Sequence, residues 1–316
     1  MDYREFINEI RENILDFMPP EYGTAEVRVD GVMKNNSVMK QGLSIHKEGA
    51  VITPKLYLED FFQSYENGIS MEDVCSRIAN EYVKHTIDDK SFSAESIMDY
   101  EKAKNNITTK VVCAKNNKSL LRDRPSTKLD DLAVVYQVEV GITQFGRGTA
   151  PVTNEIMRSW GATVNDIHKT AVDNTEKLNP SRLIAMESVI FGNEENFLEE
   201  GKPYEQCAMM ILTNENKMGG AAVLANPDTL GKVSEVINDS FYILPSSVHE
   251  VIVIPKEVAR EMGMTPKELG EMVRDVNVQE VSKEERLSDH IYEFDKDKKS
   301  LETVKESKEK TKDLER

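Results

Sequence analysis

Apolar residues recur at helical spacing from the first turn of the chain. Tyr3, Phe6, Ile7, Ile10, Ile14 and Phe17 share one face and predict an amphipathic helix over residues 2–18, stopped by Pro19-Pro20. Alternation at Ala25, Val27 and Val29, and again at Leu43 and Ile45, predicts two strands across a polar loop. Glu48-Gly49 reads as a turn before a short strand over 50–53, and residues 56–67 as a helix ended by Gly68. Ser70 with Asp73 caps the next helix, to about His85, and residues 94–104 read as another. Residues 107–114 and 132–140 are alternating and β-branched, hence strands, with a short helix at 118–123 between them. Residues 141–150 read as a loop, and 184–191 fit strand and helix equally. Beyond an acidic stretch at 193–204, residues 207–213 and 220–225 predict a hairpin, and Asn226-Pro227 opens a helix to about Asn238. Strands follow at 241–244 and 248–254, and the unbroken run Val251, Ile252, Val253, Ile254 implies a strand covered on both faces.

One pattern occurs twice. Glu155–Thr163 reads against Glu257–Thr265, and the match continues through Asp166/Glu268, Ile167/Leu269, Ala171/Val273 and Asp173/Asp275. Each copy predicts a short helix closed by glycine (Gly161, Gly263), then a Thr-x-x-acid capping box that opens a longer helix. The pairs Ile156/Val258, Trp160/Met262 and Ile167/Leu269 are expected at equivalent buried positions. Together these elements predict an α+β fold of two lobes, with mostly antiparallel sheets flanked by helices and a duplicated helix–Gly–Thr–helix unit. The expected divisions are an N-terminal α+β region at 1–105, a central region with the first copy at 106–192, and a C-terminal α+β region with the second copy at 193–294. Residues 295–316 are mostly Lys, Glu and Asp and read as a charged tail, helical or disordered.

The 316 residues carry 40 Lys and Arg against 56 Asp and Glu, a net charge of −16 that disfavours nucleic acid as a partner. Residues 102–128 hold eight Lys or Arg but lack the aromatic interleaving of a base-stacking surface. No apolar run is long enough for a membrane span, and the first residues show no apolar core of a secretory signal. Cys75, Cys113 and Cys207 are odd in number and set among apolar neighbours, which predicts reduced thiols and a cytoplasmic protein. The acidic surface suits a protein or basic-peptide partner.

Four strings carry a resemblance: Gly42–Ile45, Pro54–Glu59, Leu244–Glu250 and Leu287–Tyr292. Through them the chain resembles the domain-of-unknown-function family numbered 5688, a bacterial family common in Gram-positive gut bacteria, over roughly residues 1–294. Leu244–Glu250 is the most specific of the four. The Trp160-Gly161 helix pair is also similar to a second uncharacterised bacterial family of α+β proteins. The resemblance implies a cytoplasmic bacterial protein and brings no activity with it.

Ser246, Ser247, His249 and Glu250 are the leading candidates for chemistry, because hydroxyl, imidazole and carboxylate are the ingredients of an activated nucleophile. Strand alternation puts Ser247 and His249 on one face and Glu250 on the other. Ser288, Asp289 and His290 are the candidates to complete a polar cluster with them. The competing reading is a Pro-Ser-Ser turn whose hydroxyls satisfy local backbone groups. His249 is expected to be partly exposed, near a polar side chain of 288–290 or of the turn after Leu224.

The string Gly141–Gly148 half-matches a phosphate loop but has Arg147 and Gly148 where Lys and Ser/Thr are needed, so a connector is expected. Asp295, Asp297 and Glu306 have calcium-loop spacing, yet Lys299 and Ser300 occupy the positions of a ligand and the turn glycine. The five histidines are scattered without zinc spacing, and Asp130-Asp131 and Glu194-Glu195 read as solvated turns. No metal and no cofactor is expected. The reading is a non-catalytic binding or regulatory module, with a hydrolase using Ser246 or Ser247 with His249 as the alternative.

Overall fold

The computed structural model describes residues 1–49, 53–86, 97–143, 146–202, 204 and 207–305. The elements run α1 (Tyr3–Asn13), β1 (Glu26–Met33), β2 (Met39–His46), β3 (Leu56–Tyr57), α2 (Glu59–Glu66), α3 (Met71–His85), α4 (Tyr100–Ala103), β4 (Ile107–Cys113), α5 (Lys118–Asp123), β5 (Ser126–Leu129), β6 (Leu132–Thr143) and β7 (Gly146–Pro151). They continue α6 (Asn154–Ser159), α7 (Val164–Leu178), β8 (Ser181–Ala185), α8 (Met186–Phe191), β9 (Met210–Asn214), α9 (Pro227–Ile237), β10 (Phe241–Leu244), β11 (Val251–Pro255), α10 (Lys256–Glu261), α11 (Pro266–Gln279), β12 (Tyr292–Asp295) and β13 (Ser300–Thr303). The fold is α+β with antiparallel sheets. No helix among the described residues is long and apolar enough to cross a membrane. Contacts divide the chain into two compact units, Met1–Thr108 with Lys118–Pro125 and Tyr136–Ala171, and Thr109–Asn117 with Ser126–Val135 and Val172–Arg316.

In the first unit, Asp2 and Glu5 form a capping box for α1, whose Phe6 and Ile10 are fully buried. Phe6 meets Phe62 edge-on, and the same core takes in Leu43, Ile45, Leu58, Val74 and Ile78. The helix expected over 56–67 starts late. Leu56 and Tyr57 pair with Leu43 and Gly42 as a third strand, and α2 begins only at Glu59. Gly42 leaves the space that Lys55 and Tyr57 occupy against β2, so a long-range pairing overrides local helical spacing. The strand expected over 50–53 falls largely outside the described residues, as does the start of the helix expected over 94–104. The expected loop at 141–150 is a bulged hairpin instead, β6 pairing with β7 from Gln137↔Pro151 to Thr143↔Gly146. The half-matched phosphate loop is therefore the end of a sheet ladder, and Gln144 and Phe145 lie outside the described residues.

The second unit is built on a six-stranded antiparallel sheet in the order β13-β12-β10-β11-β9-β8. As the apolar run requires, β11 is central, with Val251 and Val253 buried on one side and Ile254 on the other. Tyr242, Leu244 and Ile254 pack with Ala259 of α10 and Leu269 and Val273 of α11. The ambiguous segment at 184–191 is both, the end of β8 followed directly by α8. The hairpin expected at 207–225 does not form. Residues Gly220–Ala225 make a buried 3-10 turn after Gly219, which sits at φ 67°. Small side chains let that turn lie against the sheet, a role that alternation alone does not reveal.

The expected tail is also corrected. Ser300–Thr303 pair with Tyr292–Asp295 as an edge strand, and Val304 packs on the core cluster that includes Tyr242 and Ile291. Lys299, at φ 51°, turns that hairpin, so residues 295–305 are neither helical nor loose. Residues 306–316 lie outside the described residues.

Gly161 and Gly263 sit at φ 64° and 70°, each between a six-residue helix and a longer one. Thr163–Asp166 and Thr265–Glu268 make the same reciprocal cap. Ile167 and Leu269 are both fully buried, but the other pairs diverge. Trp160 is half-buried and donates from Nε1 to the Ile97 carbonyl (2.8 Å), whereas Met262 is 50% exposed.

Candidate functional site

Pro245 ends β10, and the next residues leave the ladder for a second pairing. The Leu287 amide donates to the Ser246 carbonyl (3.2 Å), Ser288 to Pro245 (3.1 Å), and Val248 to Glu285 (2.9 Å). Ser247 faces Arg286 in an isolated antiparallel bridge. The two candidate strings do meet, but through backbone.

The Ser247 and His249 side chains are engaged locally. Ser246 and Ser247 are buried, and Ser247 Oγ accepts from the His249 amide (3.0 Å). The His249 carbonyl accepts from Thr213 Oγ1 (2.8 Å), and its ring Nδ1 accepts from the Gly219 amide (3.1 Å). An accepting Nδ1 leaves the neutral ring's proton on Nε2, which lies 3.5 Å from Glu285 Oε1. No ring nitrogen is then aimed at a serine hydroxyl, the step on which nucleophile activation depends. His249 is partly exposed as expected, at 23% of its side chain, but its neighbours are Gly219 and Glu285 rather than 288–290 or the turn after Leu224. Glu250 is half-buried and takes no part in these bonds.

Gly220 fixes this geometry. A methyl group there would collide with Thr213 Oγ1 and the His249 carbonyl and come within 2.9 Å of the Asn214 amide. Glycine is what allows the 3-10 turn to close on the segment that carries His249.

Ser288, Asp289 and His290 belong to a different network. Ser288 Oγ donates to Asp131 Oδ2 (3.1 Å) and accepts from the His290 amide (3.1 Å). Tyr292 donates its phenol to the other oxygen of Asp131. Burial first, then that carboxylate, push the Tyr292 phenol far above its ordinary pKa. Asn277 Nδ2 bonds the Ser288 carbonyl (2.9 Å) and Asp289 Oδ1 (2.8 Å), while His290 is exposed.

The acids read as a solvated turn, Asp130-Asp131, therefore tie the β5–β6 turn to β12 and β13. Asp130 Oδ2 accepts from the Thr303 amide (2.8 Å) and hydroxyl, and the hydroxyl bond holds its carboxyl below the usual range. Asp130 sits at φ 52°, a conformation tolerated by Asp in a tight turn. The turn was visible in the sequence; its distant partners were not. Glu194 is likewise no solvated acid, lying 2.7 Å from Lys217 Nζ and 3.5 Å from Arg182.

Among the described residues no three His, Cys, Asp or Glu side chains gather as a metal set. Cys75, Cys113 and Cys207 form no disulfide, and burial pushes Cys75 up to about 11. No curated protein and no solved structure matches the chain. One family model does, described as a family of unknown function (DUF5688), and it spans residues 3–296, including both strings of the His249 segment. The chain belongs to that family.

Proposed function

We propose that this chain is a cytoplasmic binding or regulatory module and acts without catalysis of its own, its partner a protein or peptide of basic character. The observation that supports this reading is the bonding of His249. Its Nδ1 accepts from Gly219 while Ser247 Oγ accepts from the His249 amide, so imidazole and hydroxyl each serve the backbone instead of each other. What the segment presents outward is an imidazole beside a half-exposed carboxylate, Glu285. That pair, on a chain of net charge −16, favours a cationic partner over a phosphate backbone.

Two measurements test the reading. A fluorophosphonate probe should leave Ser246 and Ser247 unlabelled. Labelling that disappears in His249→Ala would establish the hydrolase instead. A Lys/Arg-rich peptide should bind the purified chain and an acidic peptide of equal length should not. Affinity should fall steeply toward about 1 M salt, where the screening length shrinks to about 3 Å. Equal binding of both peptides at all salt concentrations would remove the basis for a basic partner.

A further inference from the structure

The sheet of the first unit runs β1-β2-β3, which makes β1 an outer strand. Its hairpin shows which backbone groups face outward. The Lys34 amide donates to the Val38 carbonyl (2.7 Å), and antiparallel bonds recur at every second residue, so Glu26, Arg28, Asp30 and Val32 turn their backbone toward β2. Val27, Val29, Gly31 and Met33 turn theirs away from it. The far side of β2 agrees, since the Gln41 carbonyl accepts from the Leu58 amide (3.0 Å) and the Ile45 amide donates to Tyr82 (2.7 Å). Among the described residues, no hydrogen bond engages the outward backbone groups of Val27, Val29, Gly31 and Met33. The side chains of β1 alternate too. Val27 and Val29 pack on the core, while Glu26, Arg28 and Asp30 stand exposed on the opposite face, negative, positive, negative.

We propose that β1 is the interface of a homodimer, in which two copies of the chain pair their β1 edges antiparallel about a two-fold axis at Val29. Charge decides the register. The outward backbone groups meet, and the valine rows stay on one face, only when odd-numbered residues oppose odd-numbered ones. Centring on Val29 then sets Arg28 against the partner's Asp30 twice, and Val27 against the partner's Gly31. It also lays the exposed Met33 beside the partner's Ala25, which carries the apolar row across the axis. Centring on Arg28 or Asp30 sets like charges against each other, and centring on Gly31 sets Arg28 against the partner's Lys34. Centring on Val27 opposes Arg28 to the partner's Glu26 but leaves only Glu26–Arg28 of the strand overlapping. Arg28 already holds Glu26 of its own strand (2.7 Å), so in the dimer its guanidinium lies between two carboxylates. The net charge of −16 opposes the approach of two copies, which favours pairing at physiological salt, where the screening length is about 8 Å. The proposal stands independently of the binding role suggested above.

Sedimentation equilibrium of the full chain at about 0.15 M salt tests it, with the mass rising from one chain to two across the micromolar range. Arg28→Asp and Asp30→Arg each set like charges across the axis twice and should weaken the dimer by at least about tenfold. Tm should hold, because both side chains are exposed. An equimolar mixture of the two variants opposes the acids of one to the arginines of the other and should regain the dimer. If a reversal fails to fold, copies carrying Arg28→Cys and copies carrying Asp30→Cys should cross-link through those positions on oxidation, and failure to do so overturns the proposal. A chain monomeric throughout the range would also overturn it, leaving the edge to a strand of another protein. So would a dimer undiminished by both reversals, or a mixture as weak as its parts, since either places the interface elsewhere.

Discussion

At the residue scale, two glycines with opposite surroundings show how little a residue's identity says without its neighbours. Gly220→Ala drives a methyl group into Thr213 and the His249 carbonyl, so it should destabilise the second unit by about 1–3 kcal/mol in urea titrations. Gly231 lies inside α9 with nothing within 4 Å of an added Cβ, and Gly231→Ala should stabilise by about 0.4–1 kcal/mol. If the two substitutions proved equivalent, the close approach at Gly220 would be wrong. His168 offers a pH-dependent test in the first unit. Burial lowers its pKa, and Nδ1 meets the Tyr136 hydroxyl at 2.9 Å. A base with a depressed folded pKa contributes stability above its unfolded pKa, and that contribution declines as pH falls through about 6.5 toward the folded value. Unfolding free energy should therefore drop between about pH 7 and 5, and His168→Gln should flatten that slope. An unchanged slope would assign the pH dependence to other groups.

At the element scale, caps and turns were the most legible features. Ser70, Asn226 and Thr265 each accept the amide bonds that their positions before helical runs foretold, because capping depends only on residues within one turn. Asn226→Ala should cost about 1 kcal/mol, and Asn226→Asp should recover most of it. The edge hairpin is where local reading failed. Its charged sequence suggests a solvated tail, yet Leu301 pairs opposite Phe294 and Thr303 reaches Asp130. Truncation after Asp295 should lower Tm by on the order of 5 °C, since it removes β13 and the packing of Val304. A Tm within a degree of the intact chain would show that the hairpin adds nothing.

At the scale of the whole molecule, the edges of the six-stranded sheet are met by groups from outside it. On β8, the Leu183 amide donates to Asn196 Oδ1 (3.0 Å) and its carbonyl accepts from the Phe197 backbone amide (2.8 Å). On β13, the Thr303 amide is taken by Asp130. Unpaired edges template pairing between chains, so Asp130→Ala combined with Asn196→Ala should raise the concentration-dependent mass seen in analytical ultracentrifugation. A mass equal to that of the unaltered chain at every concentration would show that these caps are dispensable. The sequence by itself determined the α+β class, the central position of β11 and the two glycine-closed helix pairs. Those properties follow from periodicity, steric allowance and caps that act over a few residues. Only the tertiary structure decided that Gly220–Ala225 coils rather than pairs, that Asp131 belongs to Tyr292, and that His249 answers to Gly219 and not to a serine. The last two are hydrogen bonds between residues 161 and 30 positions apart, and the first rests on the approach of Gly220 to the His249 carbonyl, 29 positions on, so no local pattern encodes them.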